Sequence, residues 1–97
     1  MRESDKIVFR DAIKKYGEKL QLTVAIEELS ELQKEICKVL RGNGSKENLT
    51  EEIADVYIML EQLKLIIGIP NKSIELVSNF KVDRLKYRLD ELKNKGV

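Results

Sequence analysis

This chain of 97 residues has no histidine, no tryptophan, one cysteine (Cys37) and one proline (Pro70). Each scarcity removes a class of function. Without histidine there is no Ser-His-Asp triad, and one thiol alone cannot build a Cys/His zinc site. A ferritin-like di-iron centre takes Glu-x-x-His pairs from its helices, and this chain has none. One cysteine forbids an intrachain disulfide. Its place near the apolar arc of a predicted helix leads us to expect a small buried side chain rather than a reactive thiol. No apolar run is long enough to span a bilayer, and Arg2, Glu3, Asp5 and Lys6 near the start do not resemble a signal peptide. The expectation is a cytoplasmic protein with no membrane partner. The 18 Lys and Arg residues nearly balance the 17 Asp and Glu residues. No global basic field favours nucleic acid.

What the chain does contain is Leu, Ile, Val, Lys and Glu, with 36% of residues charged. That mixture favours helices over sheet, in one small domain spanning residues 1–97. Hydrophobic spacing predicts four helices and no strands. The first covers Ser4 to Tyr16, with Ile7, Val8, Ala12 and Ile13 at helical spacing, and Gly17 interrupts it. The second runs from Glu18 to Leu40 and stops at Arg41-Gly42-Asn43-Gly44-Ser45. The third begins near Asn48, which has capping-box spacing with Glu51, and ends at Ile67 before Gly68 and Pro70. The fourth spans Asn71 to Asn94, with Asn71 as its cap. Short connections favour an antiparallel four-helix bundle.

At ~100° per residue, the second helix places Leu22, Ala25, Ile26, Leu29, Leu32, Ile36 and Leu40 on one arc. Glu27, Glu31 and Glu35 fall opposite, and Glu28 lies at the boundary. On the third helix Ile53, Val56, Met59, Leu60, Leu63, Ile66 and Ile67 cover most of the circumference, so it is expected to be largely buried. Glu52 and Asp55 lie on its apolar flanks. A buried lone carboxylate costs several kcal/mol, so these acids need a cation, a base or a water-filled cleft. Otherwise they lie at an exposed bundle end and pair with Lys or Arg. The helix dipole helps them by only ~0.3–1 kcal/mol. Glu61 falls on the polar side with Lys64.

Two acidic pairs therefore stand out. Glu28 and Glu31 are three residues apart, as are Glu52 and Asp55, so each pair projects from one helix face and can share a cation. Hard oxygen ligands of this kind suit Mg²⁺. On the fourth helix Ile74, Val77, Leu85, Leu89 and Leu92 form an apolar stripe into which Lys81 points, with Arg84 and Arg88 at its border. Lys81 either pairs with the acids or meets an anion, and Arg88 reads as a solvated charge. Leu76, Phe80 and Tyr87 make a second patch suited to subunit packing.

In order along the chain these acids read Glu27-Glu28-Leu29-Ser30-Glu31, twenty intervening residues, then Glu52-Ile53-Ala54-Asp55. This resembles the E-E-x-x-E … E-x-x-D signature of the all-α nucleoside triphosphate pyrophosphatases, the MazG-like group. Tyr16-Gly17, Gln21-Leu22 and Ala25-Ile26 before it, and Lys81-Val82-Asp83-Arg84 after it, extend the resemblance from Tyr16 to Leu89. It implies an all-α domain assembled into homo-oligomeric dimers or tetramers. It further implies hydrolysis of a nucleoside triphosphate between the α and β phosphates, which cleans the nucleotide pool. Glu28, Glu31, Glu52 and Asp55 would be the Mg²⁺ ligands, with Mn²⁺ as a substitute. Glu28 or Glu31 would take the proton of the attacking water, Lys81 and Arg84 would meet phosphates or the metal-binding acids, and Glu27 would orient partners or waters. Two other readings suit the same residues: a catalytically silent bundle that binds a nucleotide or protein, and a structural oligomer whose acids make surface ion pairs.

Overall fold

The computed structural model describes residues 1–96, and among them the chain forms four α-helices and no strand. They are α1 (Asp5–Tyr16), α2 (Glu18–Leu40), α3 (Lys46–Ile67) and α4 (Asn71–Asn94). Helix α1 is closed at its start by Asp5, whose carboxylate accepts from the Arg2 backbone N–H at 2.9 Å and pairs with the Arg2 guanidinium at 3.0 Å. That guanidinium holds the Asp5 carboxyl below its ordinary range. Phe9 is the one buried residue of α1, where it packs toward α2 and α3, while Ile7 and Val8 stay exposed.

The turn from α2 to α3 depends on Gly44. A Cβ there would lie 2.5 Å from Val39 Cγ2 and 2.8 Å from Val39 Cα, so only glycine lets the chain pass the end of α2 so closely. The N-cap of helix α3 lies three residues earlier than capping-box spacing predicts. Ser45, not Asn48, is the N-cap: its hydroxyl accepts from the Asn48 backbone N–H at 3.2 Å. At the other end Gly68 adopts the left-handed conformation (φ 83°) and its N–H closes on the Lys64 carbonyl. Asn71 does not cap α4; Pro70 holds that position, and the Asn71 side chain accepts from Lys64 Nζ.

Helices α2 and α3 pack antiparallel, in a register shown by the Gln21–Gln62 amide hydrogen bond at one end and the approach of Glu28 to Asp55 further along. Positions 21, 25, 28, 32 and 35 of α2 recur every three or four residues and are all buried or half-buried. They face Leu49, Glu52, Val56, Met59 and Gln62 of α3, also buried or half-buried. This seam is half polar. It differs from the arc that hydrophobicity alone selects, because Ile26, Leu29, Ile36 and Leu40 of that arc are exposed. Cys37 is exposed too, against expectation. Nor is α3 buried all round: Val56 and Met59 are, but Ile53, Leu60 and Ile67 are exposed.

Helix α4 does not join a bundle with the other three. None of its residues is buried or half-buried, and the expected inward stripe of Ile74, Val77, Leu85, Leu89 and Leu92 faces open space along with Phe80 and Tyr87. The chain is correspondingly extended, with a radius of gyration of 17.3 Å against about 12.5 Å for a compact domain of this length. Its accessible surface is 7940 Å², about 2,200 Å² above the scaling for a compact monomer of this mass.

The two cap assignments separate cleanly in a denaturation experiment. Ser45→Ala should lower unfolding free energy by about 0.5–2 kcal/mol, read as a shift in the urea midpoint at constant m-value. Asn48→Ala should change it by only a few tenths, because the cap uses the Asn48 backbone and not its side chain.

Candidate functional site

Three of the four predicted ligands meet on the seam. Glu28 from α2 and Glu52 and Asp55 from α3 each present a carboxylate oxygen such that all three oxygens lie within 4.8 Å of one another. Glu28 and Glu52 are half-buried and Asp55 is exposed, so the cluster opens to solvent on one side. The antiparallel register causes the meeting: Glu28 stands level with Asp55 and Val56, and Glu52 follows one turn earlier on α3. Octahedral Mg²⁺ at 2.0–2.1 Å holds its opposite ligands roughly 4.2 Å apart. Three ligands of one such ion include neighbours roughly 2.9 Å apart, so the three carboxylates would draw closer on binding it. Three carboxylate oxygens are the donor type that a hard divalent cation takes.

The electrostatics show what the cluster costs without one. Burial and the neighbouring Asp55 and Glu52 carboxylates push the Glu28 carboxyl up from its ordinary value. Burial, Asp55, Glu31 and Glu35 push Glu52 up in the same way. No lysine or arginine forms an ion pair with Glu28, Glu52 or Asp55 among the described residues. Like charges held together in this manner take up a proton or a cation more readily than isolated acids.

Glu31 lies outside the trio, exposed, with Lys34 Nζ at 3.4 Å from its carboxylate. It is still close enough to raise both Glu28 and Glu52. Glu27 is exposed and off the seam. Lys81 and Arg84 are exposed on α4, which brings neither to the acids of its own chain, and neither forms an ion pair among the described residues. Glu61 and Lys64 pair at 2.7 Å, as their shared polar side predicts. Glu35, placed by hydrophobicity on the polar side of α2, is instead buried in the seam. Its seven-residue spacing from Glu28 was the signal that could have found it. Two shallow clefts at the other end of α3, lined by Phe9, Leu60, Leu65 and Ile69 among others, contain none of the clustered acids.

No family model, no curated protein and no solved structure matches this chain.

The raised proton affinity of Glu28 and Glu52 sets a pH dependence. Just above the ordinary Glu value of 4.5 the folded state binds more protons than the unfolded chain. Stability therefore falls as pH rises through that window. Asp5 acts in the opposite sense, but only as pH falls below its ordinary value of 3.8. In chelator the thermal midpoint should drop as pH rises through the window just above 4.5. Glu52→Gln should flatten that drop and raise the midpoint at neutral pH. A flat wild-type profile, or a less stable Glu52→Gln at pH 7, would count against the electrostatic reading.

Proposed function

We propose that the protein is a Mg²⁺-dependent nucleoside triphosphate pyrophosphatase of the MazG-like type, cleaving a (d)NTP between the α and β phosphates to the monophosphate and pyrophosphate. The observation that carries this reading is the convergence of Glu28, Glu52 and Asp55 from two helices into one oxygen-lined cluster with no basic partner. The order and spacing of these acids with Glu27 and Glu31 support the same conclusion.

In this reading Glu28, Glu52 and Asp55 hold the cation. When bound, Mg²⁺ would supply the positive charge that lets an anionic triphosphate approach these acids, and would acidify a nearby water. Glu31, outside the trio but beside it, is the carboxylate best placed to accept that water's proton. Its weak contact with Lys34 leaves it able to turn. Glu27 orients waters or basic partners at the rim.

Lys81 and Arg84 enter the site from a second copy of the chain. The unburied apolar length of α4, with the exposed Ile26, Leu29 and Ile36 face of α2, supports a homodimer or a pair of dimers. The excess surface is in the range that obligate interfaces bury, from about 2,000 Å² upward. Partner packing of α4 is what would bring its cations to the acids.

A pyrophosphate-release screen across canonical and modified (d)NTPs, with and without Mg²⁺, tests the reaction and defines the substrate. Glu31→Gln should lower turnover by about 10²–10⁴-fold while retaining cation binding, and Glu28→Gln should lose both. Substantial turnover by both variants would refute the assignment, and no release from any triphosphate would refute the activity. Sedimentation at micromolar concentration should give at least a dimer. A monomer with full activity would remove Lys81 and Arg84 from the site.

A further inference from the structure

The loop at 41–45 joins the two helices of the seam and holds the one Asn-Gly pair in the chain, Asn43-Gly44. Asparagine before glycine is chemically labile, because with no Cβ in the way the glycine nitrogen can reach the asparagine side-chain carbonyl. Folding suppresses the reaction when it locks the backbone in a helix or bonds the groups that must react. Here it does neither. Both residues are exposed and lie outside the helices. Among the described residues the Asn43 side chain makes no hydrogen bond, and the Gly44 N–H, which holds the nucleophile, has no acceptor. Asn48, Asn71, Asn79 and Asn94 all lie within helices, and none precedes a glycine.

We propose that Asn43-Gly44 is a site of spontaneous deamidation in the folded protein, and that its isoaspartate product loosens the turn between α2 and α3. The Gly44 nitrogen gives its proton to solvent and attacks Asn43 Cγ. That bond forms as the Cγ–Nδ2 bond breaks and ammonia leaves, closing a succinimide ring. Water then opens the ring. Attack at Cγ gives aspartate with the main chain restored. Attack at the main-chain carbonyl carbon gives isoaspartate, whose chain runs through the side chain and is longer by one methylene. The turn has little room for that methylene. A Cβ on Gly44 would already lie 2.5 Å from Val39 Cγ2, and the Asn43 N–H is tied to the Lys38 carbonyl at 3.0 Å. Aspartate adds only an exposed charge just before the Ser45 cap, at the end of α3 where the helix dipole accepts anions. The two products thus share a mass and differ in effect. The inference is independent of the proposed activity.

The test ages the full-length protein at neutral pH, in buffer and in denaturant. Each asparagine is followed by peptide mass spectrometry, and isoaspartate is marked by enzymatic methylation. In the folded protein Asn43 should convert at least about tenfold faster than any other asparagine, and within about tenfold of its own rate in denaturant. The isolated isoaspartate form should melt below fresh wild type, fresh Asn43→Asp should melt with wild type, and aged Asn43→Ser should keep its midpoint. Conversion of Asn43 in denaturant but not in the folded chain, or conversion spread evenly over the asparagines, would overturn the site. The effect on the turn would be overturned by an isoaspartate form that melts with wild type. It would equally be overturned by fresh Asn43→Asp melting as low as that form, or by aged Asn43→Ser falling as wild type does.

Discussion

The rest of the structure depends on the antiparallel seam between α2 and α3, and that seam is built against the usual rule. Helices pair by burying apolar positions that recur every three or four residues. Here those positions include Gln21, Glu28 and Glu35 on α2 and Glu52 and Gln62 on α3. The two glutamines satisfy each other through a buried amide hydrogen bond, which pins the register at one end. The glutamates have no such mutual solution, since carboxylates repel. Apolar layers from Ala25, Leu32, Val56 and Met59 hold the helices together around them. The seam is thus a scaffold for concentrated negative charge, and its stability is limited by that charge.

The surfaces outside the seam follow from its polarity. With acids taking inward positions on α2, the apolar side chains Ile26, Leu29 and Ile36 are displaced to flanks that nothing in the chain covers. Helix α4, separated from α3 by Gly68-Ile69-Pro70, carries a matching surplus of exposed apolar side chains, Val77, Phe80 and Leu89 among them. A small domain rarely tolerates this much uncovered apolar surface. Site and surface are two consequences of one arrangement. The positions that a monomeric bundle would fill with leucine are occupied by acids, and the leucines and isoleucines are left facing outward.

Much of this was legible in the sequence, and the parts that were not failed for identifiable reasons. The all-helical class and the limits of α2 and α4 follow from periodicity and from Gly17, Gly68 and Pro70, which act locally. The start of α3 was misplaced because Ser45 and Asn48 are both good caps; the passage past Val39 that Gly44 permits is a tertiary fact. The meeting of Glu28 with Glu52 and Asp55 was legible as two pairs at one-turn spacing. The separation of Glu31 from the trio was not, since it depends on which edge of α2 meets α3. Glu35 was missed for the same cause. A wheel weighted by hydrophobicity finds the most apolar edge, and in α2 that edge is not the contact edge. The expected burial of α3 is not met within one chain, where Ile53, Leu60 and Ile67 are exposed, and Lys81 stands exposed on a helix that covers none of them.

That last failure bears on the chemistry. A cluster of acids with no basic partner is unstable as an isolated object, and there are only three ways to relieve it: protons, cations, or basic side chains brought from elsewhere. Protons give part of that relief, which is the sense of the upward shifts of Glu28 and Glu52. Among the described residues no basic side chain pairs with the clustered acids: Lys34 pairs with Glu31, Lys38 with Glu35, and Lys81 and Arg84 stand on α4. In the proposed function cations supply that relief, and carboxylate oxygens are the donors they take. The same deficit of positive charge that makes the seam costly when empty is what would make a metal-bridged polyphosphate a good ligand for it. Destabilising the empty state and favouring a doubly charged ligand are here one property, set by which residues of α2 turn toward α3.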